Sequence, residues 1–346
     1  MSVSKLSKQQ FGQFVDAILA AGRKVVGVVE KNDRYVFDTL HSAKDLRLDY
    51  DVTILSPRKY ILPQVEPLLT FEVGGAAKSA GDCEPLILMG VHPYDVVAIS
   101  QMDELFSQGQ YDTHYMNRRK AMTIVACDVA KASKNVFASS MGTAVVDKGY
   151  DILITDIGDG YVLDAATDKG QALMSYAKGA AAATAEDLKK RSEIQDANKK
   201  NLNKHKLNCK TSQLPKLLEK SYNHPVWEEK ARLCYSCGSC NQVCPTCYCF
   251  DVQDQVNWDL KTGTRVRCWD GCLLENFATV AGNHNFRKDR AARFRHRLYR
   301  KGKYVPEKIG GQIACVGCGR CITACTADIA NPVIVYNRLA EDRTIG

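Results

Sequence analysis

Two runs of cysteine set the chemistry open to this chain. The first reads Cys234-Tyr-Ser-Cys237-Gly-Ser-Cys240-Asn-Gln-Val-Cys244-Pro245, and the second Cys315-Val-Gly-Cys318-Gly-Arg-Cys321-Ile-Thr-Ala-Cys325. Both follow C-x2-C-x2-C-x3-C, the thiolate spacing that holds a cubane iron–sulfur cluster. Zinc usually takes two separated cysteine pairs, and a disulfide framework belongs to short secreted chains. In two-cluster ferredoxins the fourth cysteine of each run ligates the other cluster. That rule assigns one [4Fe-4S] cluster to Cys234, Cys237, Cys240 and Cys325, and a second to Cys315, Cys318, Cys321 and Cys244. Between the runs lie Cys247, Cys249, Cys268 and Cys272, enough thiols for a third cluster, with His284 as a possible substitute ligand. A basic stretch follows, from Arg287 to Lys303. Part of it reads as a solvated helix face. Arg293 and Arg297 are the candidates to face the clusters, offset thiolate charge and raise their potentials.

The bulk numbers agree with a metal protein. The 346 residues carry 15 cysteines, but the first 208 hold only Cys83 and Cys127. Clustered thiols in a long chain point to metal in a reducing compartment. The opening residues lack the pattern of a cleavable signal, and no apolar run reaches the roughly 18 residues of a spanning helix. The expectation is a cytoplasmic protein without membrane insertion. The net charge of +8 is modest, and its excess sits in the cysteine-rich half.

Apolar spacing predicts the elements that must position these thiols. A helix is expected over 9–21, a hairpin over 24–39, strands at 86–89, 121–126, 151–155 and 161–165, and a helix over 94–106. Strands alternating with helices predict an N-terminal α/β domain over 1–178. The prolines at 57, 63 and 67 predict loops with short pieces of helix or strand. The alanine-rich, charged stretch over 179–222 reads as a helical linker. Residues 223–346 then form an all-helical, two-cluster ferredoxin-like domain, so the fold class is α+β and multidomain. Gly158-Asp-Gly160 and Gly74-Gly75 lack the context of a phosphate-binding fingerprint, so no flavin or nucleotide is expected on this chain. His92, His114 and Cys127 stand alone and read as packed residues.

The chain resembles the iron–sulfur (beta) subunits of cytoplasmic sulfhydrogenases and the corresponding iron–sulfur subunits of anaerobic sulfite reductase and of flavin oxidoreductases linked to heterodisulfide reductase. Carrying the resemblance are Cys244-Pro-Thr-Cys247-Tyr-Cys249-Phe-Asp251, Trp269-Asp270-Gly271-Cys272, Ala281-Gly-Asn-His284-Asn-Phe-Arg287 and both cysteine runs. In the first half, Gly90-Val-His-Pro-Tyr-Asp95, Arg118-Arg119 and Ser140-Met-Gly-Thr143 add to it. The resemblance implies an electron-relay role between a flavin subunit meeting NAD(P)H and a terminal redox subunit. It also shows departures. Many relatives have cysteine where this chain has Tyr94, and C-F-C where it has Val136-Phe137-Ala138. Thr326 replaces a proline, and Cys268 is an extra thiol, which makes Cys247, Cys249 and Cys272 the safer trio. Two other classes compete: an enzyme whose third cluster has an open iron, and an iron–sulfur sensor or nucleic-acid binder using the basic stretch. The second lacks a helix-turn-helix or an aromatic-interleaved basic patch.

Overall fold

The computed structural model describes residues 2–81 and 83–344. Twelve strands build the two main sheets: β1 (Ser2–Ser7), β2 (Val25–Lys31), β3 (Arg34–Thr39), β4 (Val65–Glu72), β5 (Ala77–Ser79), β6 (Leu86–Val91), β7 (Met122–Cys127), β8 (Ile152–Asp156), β9 (Gly160–Ala165), β10 (Ala181–Ala182), β11 (Phe250–Val256) and β12 (Thr262–Trp269). The larger sheet runs β10-β1-β9-β8-β7-β6-β2-β3. Its centre, β2, β6, β7 and β8, is parallel, while both flanks are antiparallel. A parallel core needs cover on both faces, which is why β2, β6 and β7 read as near-continuous apolar runs. Helices Lys8–Ala20 and Pro93–Ser107 supply part of that cover, burying Phe11, Phe14, Val15 and Ile18 from the first and Val96, Ile99 and Met102 from the second. The first helix begins with a capping box, Ser7 against Gln10. The hairpin of β2 and β3 turns on Asn32 and Asp33, both in the left-handed region, with φ of 50° and 57°.

A second, four-stranded sheet, β11-β12-β4-β5, corrects the expectation of an all-helical C-terminal half. The hairpin of β11 and β12 lies inside the cysteine-rich half, yet β12 pairs along β4 of the first half. Pro67, which argued for a loop, sits where the register of β4 and β12 shifts. A bulge is where a strand tolerates a proline. A buried ion network ties this sheet to the larger one's helices. Arg267 of β12 donates from Nε to Glu66 at 2.7 Å and also meets Asp112, while Arg118 meets Glu66 from the other side. The dipeptide Arg118-Arg119 is thereby structural, since Arg119 donates to Asp103 at 2.8 Å.

The stretch over 179–222 is more than a solvated connection. It supplies β10 to the sheet edge, then a helix, Ala185–Asn201. Asp187 at the start of that helix is buried and accepts from Lys5. Near its end, buried Asn198 donates to the carbonyl of Val129 at 3.1 Å. The helices after it, Leu214–Glu219 and Val226–Leu233, pack with the helix Arg290–Tyr299 and the C-terminal helix Pro332–Thr344 around a second core.

Candidate metal centres

The two cysteine runs fold into the same loop. Ser236 and Gly238 in the first have φ of 54° and 74°, and Gly317 and Gly319 in the second have φ of 66° and 79°. Each loop alternates left-handed and ordinary backbone, then enters a short helix, Ser239–Gln242 or Arg320–Thr323. Such alternation turns successive backbone N–H groups toward one side, a concavity that binds anions and recurs at iron–sulfur sites. In the second loop the glycines are also sterically required. A Cβ on Gly317 would lie 2.6 Å from backbone atoms of Phe137, and one on Gly319 would lie 2.3 Å from the carbonyl oxygen of Asn135.

The thiols surround three cavities. Cys234, Cys237, Cys240 and Cys325 line one. Cys244, Cys315, Cys318 and Cys321 line another. The fourth cysteine of the first run thus turns to the second run's cavity, and that of the second run to the first's. Cys247, Cys249 and Cys272 line a third. Cys268 does not line it; that residue lies on β12, paired with Asp251 and Val65. His284 is exposed and lines none of the three. Among the described residues, no three His, Cys, Asp or Glu side chains converge closely enough to hold a single metal ion. A lone zinc, at about 2.3 Å from each sulfur, draws its ligands to a point. Four thiols around a cavity suit a larger group, and the donor set fits an iron–sulfur cubane.

The polar surroundings fit an anionic group. Backbone N–H groups donate to thiol sulfur, Ser236 to Cys234 and Ile329 to Cys325, each at 3.4 Å. Burial pushes the thiols of Cys240 and Cys315 up to about 12. The cavity walls therefore disfavour bare thiolates, and iron binding and folding are coupled there. Arg297 compensates. Burial pulls its pKa down, but thiolates at Cys240, Cys321, Cys244 and Cys247 outweigh that and hold it well above the usual value. The side chain lines the second and third cavities, and its Nη2 donates to the carbonyl of Cys240 at 3.4 Å, on the wall of the first. Arg293 is buried too, but serves the first loop: it donates to Ser236 Oγ at 3.3 Å and to the carbonyls of Arg287 and Lys288.

Several site residues were not singled out from sequence. Lys301, one helical turn beyond Arg297, lines the same two cavities and donates to Thr246 Oγ1 at 2.7 Å. It lies in a π-helical stretch, Arg300–Tyr304, the kind of irregularity frequent at functional sites. Arg58, from the first half, donates to the carbonyls of Cys247 and, at 3.0 Å, Gln242, with its guanidinium 3.5 Å from the ring centre of Trp269. Arg320, inside the second run, forms a bidentate pair with Asp95 at 2.6 Å for each bond, and both are essentially fully buried. Asp95 closes the Gly90–Asp95 motif after β6, so the carboxyl end of the parallel sheet grips the second loop. Thr143 also holds that loop, donating to the carbonyl of Val316 at 2.7 Å. Tyr94, Val136 and Ala138 pack together with Cys318 in one small buried cluster. Cys127 is buried in the main core.

A family profile for the 4Fe-4S dicluster domain matches residues 233–329, which makes the chain an iron–sulfur protein of that class. Along its length the chain is similar to sulfhydrogenase 2 subunit beta of Pyrococcus furiosus. The two are 33% identical over 335 residues, covering 95% of this chain and 96% of the relative. The chain belongs to the family of sulfhydrogenase beta subunits. No solved structure gives a significant match.

Proposed function

We propose that this chain is the electron-relay subunit of a multi-subunit oxidoreductase, passing single electrons between a flavin subunit that meets NAD(P)H and a terminal redox subunit. The observation that carries the reading is the grouping of thiols four, four and three around adjoining cavities, with Arg297 in contact with the walls of all three. Each cubane, when bound, takes up and releases one electron. The chain's own residues do the rest. Cys234, Cys237, Cys240 and Cys325 hold the first cluster; Cys315, Cys318, Cys321 and Cys244 hold the second; Cys247, Cys249 and Cys272 belong to a third. Arg297 and Lys301 offset thiolate charge where water is excluded, which favours the reduced, more negative state. Cys237 is the exposed thiol of its set, with Tyr235 beside it 72% exposed, so the first cluster lies nearest a partner's surface. Among the described residues no helix is long and apolar enough to cross a membrane. Arg293, Arg297 and Lys301 are buried, which takes these three basic residues out of reach of a nucleic acid.

A second reading, an enzyme with an open cluster iron, has one observation in its favour: the third cavity presents three thiols and not four. Anaerobic purification with iron counting tests the first reading's core. About twelve irons per chain are expected, and about eight would remove the third cluster. Anaerobic co-purification tests the relay: recovery of a flavoprotein is expected, and its absence would refute that role.

A further inference from the structure

The third cavity has one donor too few. Three thiols line it, while a cubane has four irons. Most other polar side chains on its wall are already committed. Thr246 donates to the carbonyl of Ala314 at 2.7 Å and accepts from Lys301, and Arg297, Arg300 and Lys301 are cations. Tyr248 lies under the guanidinium of Arg300. Asn241 is different. It is 2% exposed, and its Nδ2 donates toward Cys272 Sγ at 3.4 Å and Cys247 Sγ at 3.6 Å. Its Oδ1 is buried and makes no hydrogen bond. A buried carboxamide oxygen without a protein partner is destabilising, so a bound group that satisfies it would remove that cost.

Two further observations bear on that use. Gly271, next to Cys272, gives the carboxamide its room: a Cβ there would lie 3.2 Å from Asn241 Cβ and 3.4 Å from its Oδ1. The second cysteine run shows that the loop itself needs no polar residue. Ile322 follows Cys321 as Asn241 follows Cys240, and Ile322 packs in an apolar core.

Resting on the third-cluster reading, the geometry assigns Asn241 Oδ1 as the fourth ligand of that cluster, a weak neutral oxygen beside three thiolates. The iron it holds is the most exchangeable in the protein and can accept a small exogenous thiolate in place of the carboxamide. Asp270 is the competing oxygen donor, but its Oδ1 accepts from the Gly271 N–H at 2.6 Å and it does not line the cavity.

The test uses the full chain, reconstituted anaerobically, with iron counting and EPR. About eight irons would overturn the third-cluster reading and this assignment with it. With about twelve present, mild ferricyanide oxidation should remove about one Fe²⁺ and one electron per chain, turning a [4Fe-4S]²⁺ cluster into [3Fe-4S]⁺ with its own EPR signal. Asn241→Cys should retain that iron and cut the signal about tenfold, while Asn241→Ala should release it faster. The assignment is overturned, with the third cluster left standing, if wild type gives no three-iron signal. It is equally overturned if Asn241→Cys leaves that signal unchanged, or if Asp270→Asn and not Asn241→Ala speeds the loss.

Discussion

Replacing Arg297 by glutamine removes a buried positive charge that the three cavities share. The consequence can be sized. Two unit charges about 4 Å apart interact by about 4 kcal/mol at an effective dielectric constant of ~20. At about 2.3 kcal/mol per 100 mV for one electron, that is about 170 mV as an upper limit. Twice the separation halves it. Arg297 lines the second and third cavities directly but reaches the first through a main-chain carbonyl. Arg297→Gln should therefore lower the potentials of the second and third clusters by roughly 100–170 mV, and that of the first by less than about 90 mV. Arg297→Lys keeps the charge and should shift each by less than half as much. Arg295→Gln serves as the control, because Arg295 lies over the Tyr222 ring, 3.8 Å from its centre, and lines none of the cavities. Potentiometric titration followed by EPR reads all three variants, with iron content confirming that each is fully loaded. Shifts below about 20 mV in fully loaded Arg297→Gln would refute the electrostatic role.

Other perturbations probe the scaffold. Asp95→Ala leaves Arg320 buried and unpaired, and should cost about 3–5 kcal/mol in anaerobic denaturant unfolding; a cost under about 1 kcal/mol would show that the pair is dispensable. Gly317→Ala drives a Cβ into the backbone of Phe137, so about four irons per chain should be lost. Gly310→Ala, at φ +63° in open space, should keep all iron and cost only about 1–2 kcal/mol. Burial, helped by Arg287, Arg300 and Arg295, holds His296 down at about 4. An unfolded histidine takes its proton near pH 6.5, so the unfolded state protonates first. Its contribution is fully present above about pH 6.5 and is lost as the pH falls toward 4. His296→Gln should flatten that part of the stability profile, and an unchanged slope would exclude His296 as its source.

The thiol pattern was legible because ligand spacing is a local property. So were the strands of the α/β half, since β2, β6, β7 and β8 are near-continuous apolar runs. The second sheet was not. β11 is exposed along its whole length, so no buried face marks it, and Asp254 interrupts the alternation of Phe250, Val252 and Val256. β4 is interrupted by Pro67, which sits beside a bulge in its own strand, with Leu68 the extra residue. Cys268 stood apart as an extra thiol through the resemblance alone, and the reason was not local. Position along the chain puts it beside Cys272, while strand pairing carries it to Asp251 and Val65. Arg58 and Asp95 act on loops far away in sequence, which no local pattern can report. Their signal was present only as charged residues in otherwise apolar or proline-marked surroundings.

The sheet that joins β4 to β12 has a consequence for inheritance. A gene split between residues 178 and 223 would leave the downstream hairpin bare along the β12 edge and the upstream β4, still paired with β5, bare along its other edge, each an invitation to aggregate. Arg58 and Asp95 would also be stranded on the wrong polypeptide. One continuous chain keeps these partners at hand from synthesis onward, so both edges are covered as soon as the two halves fold.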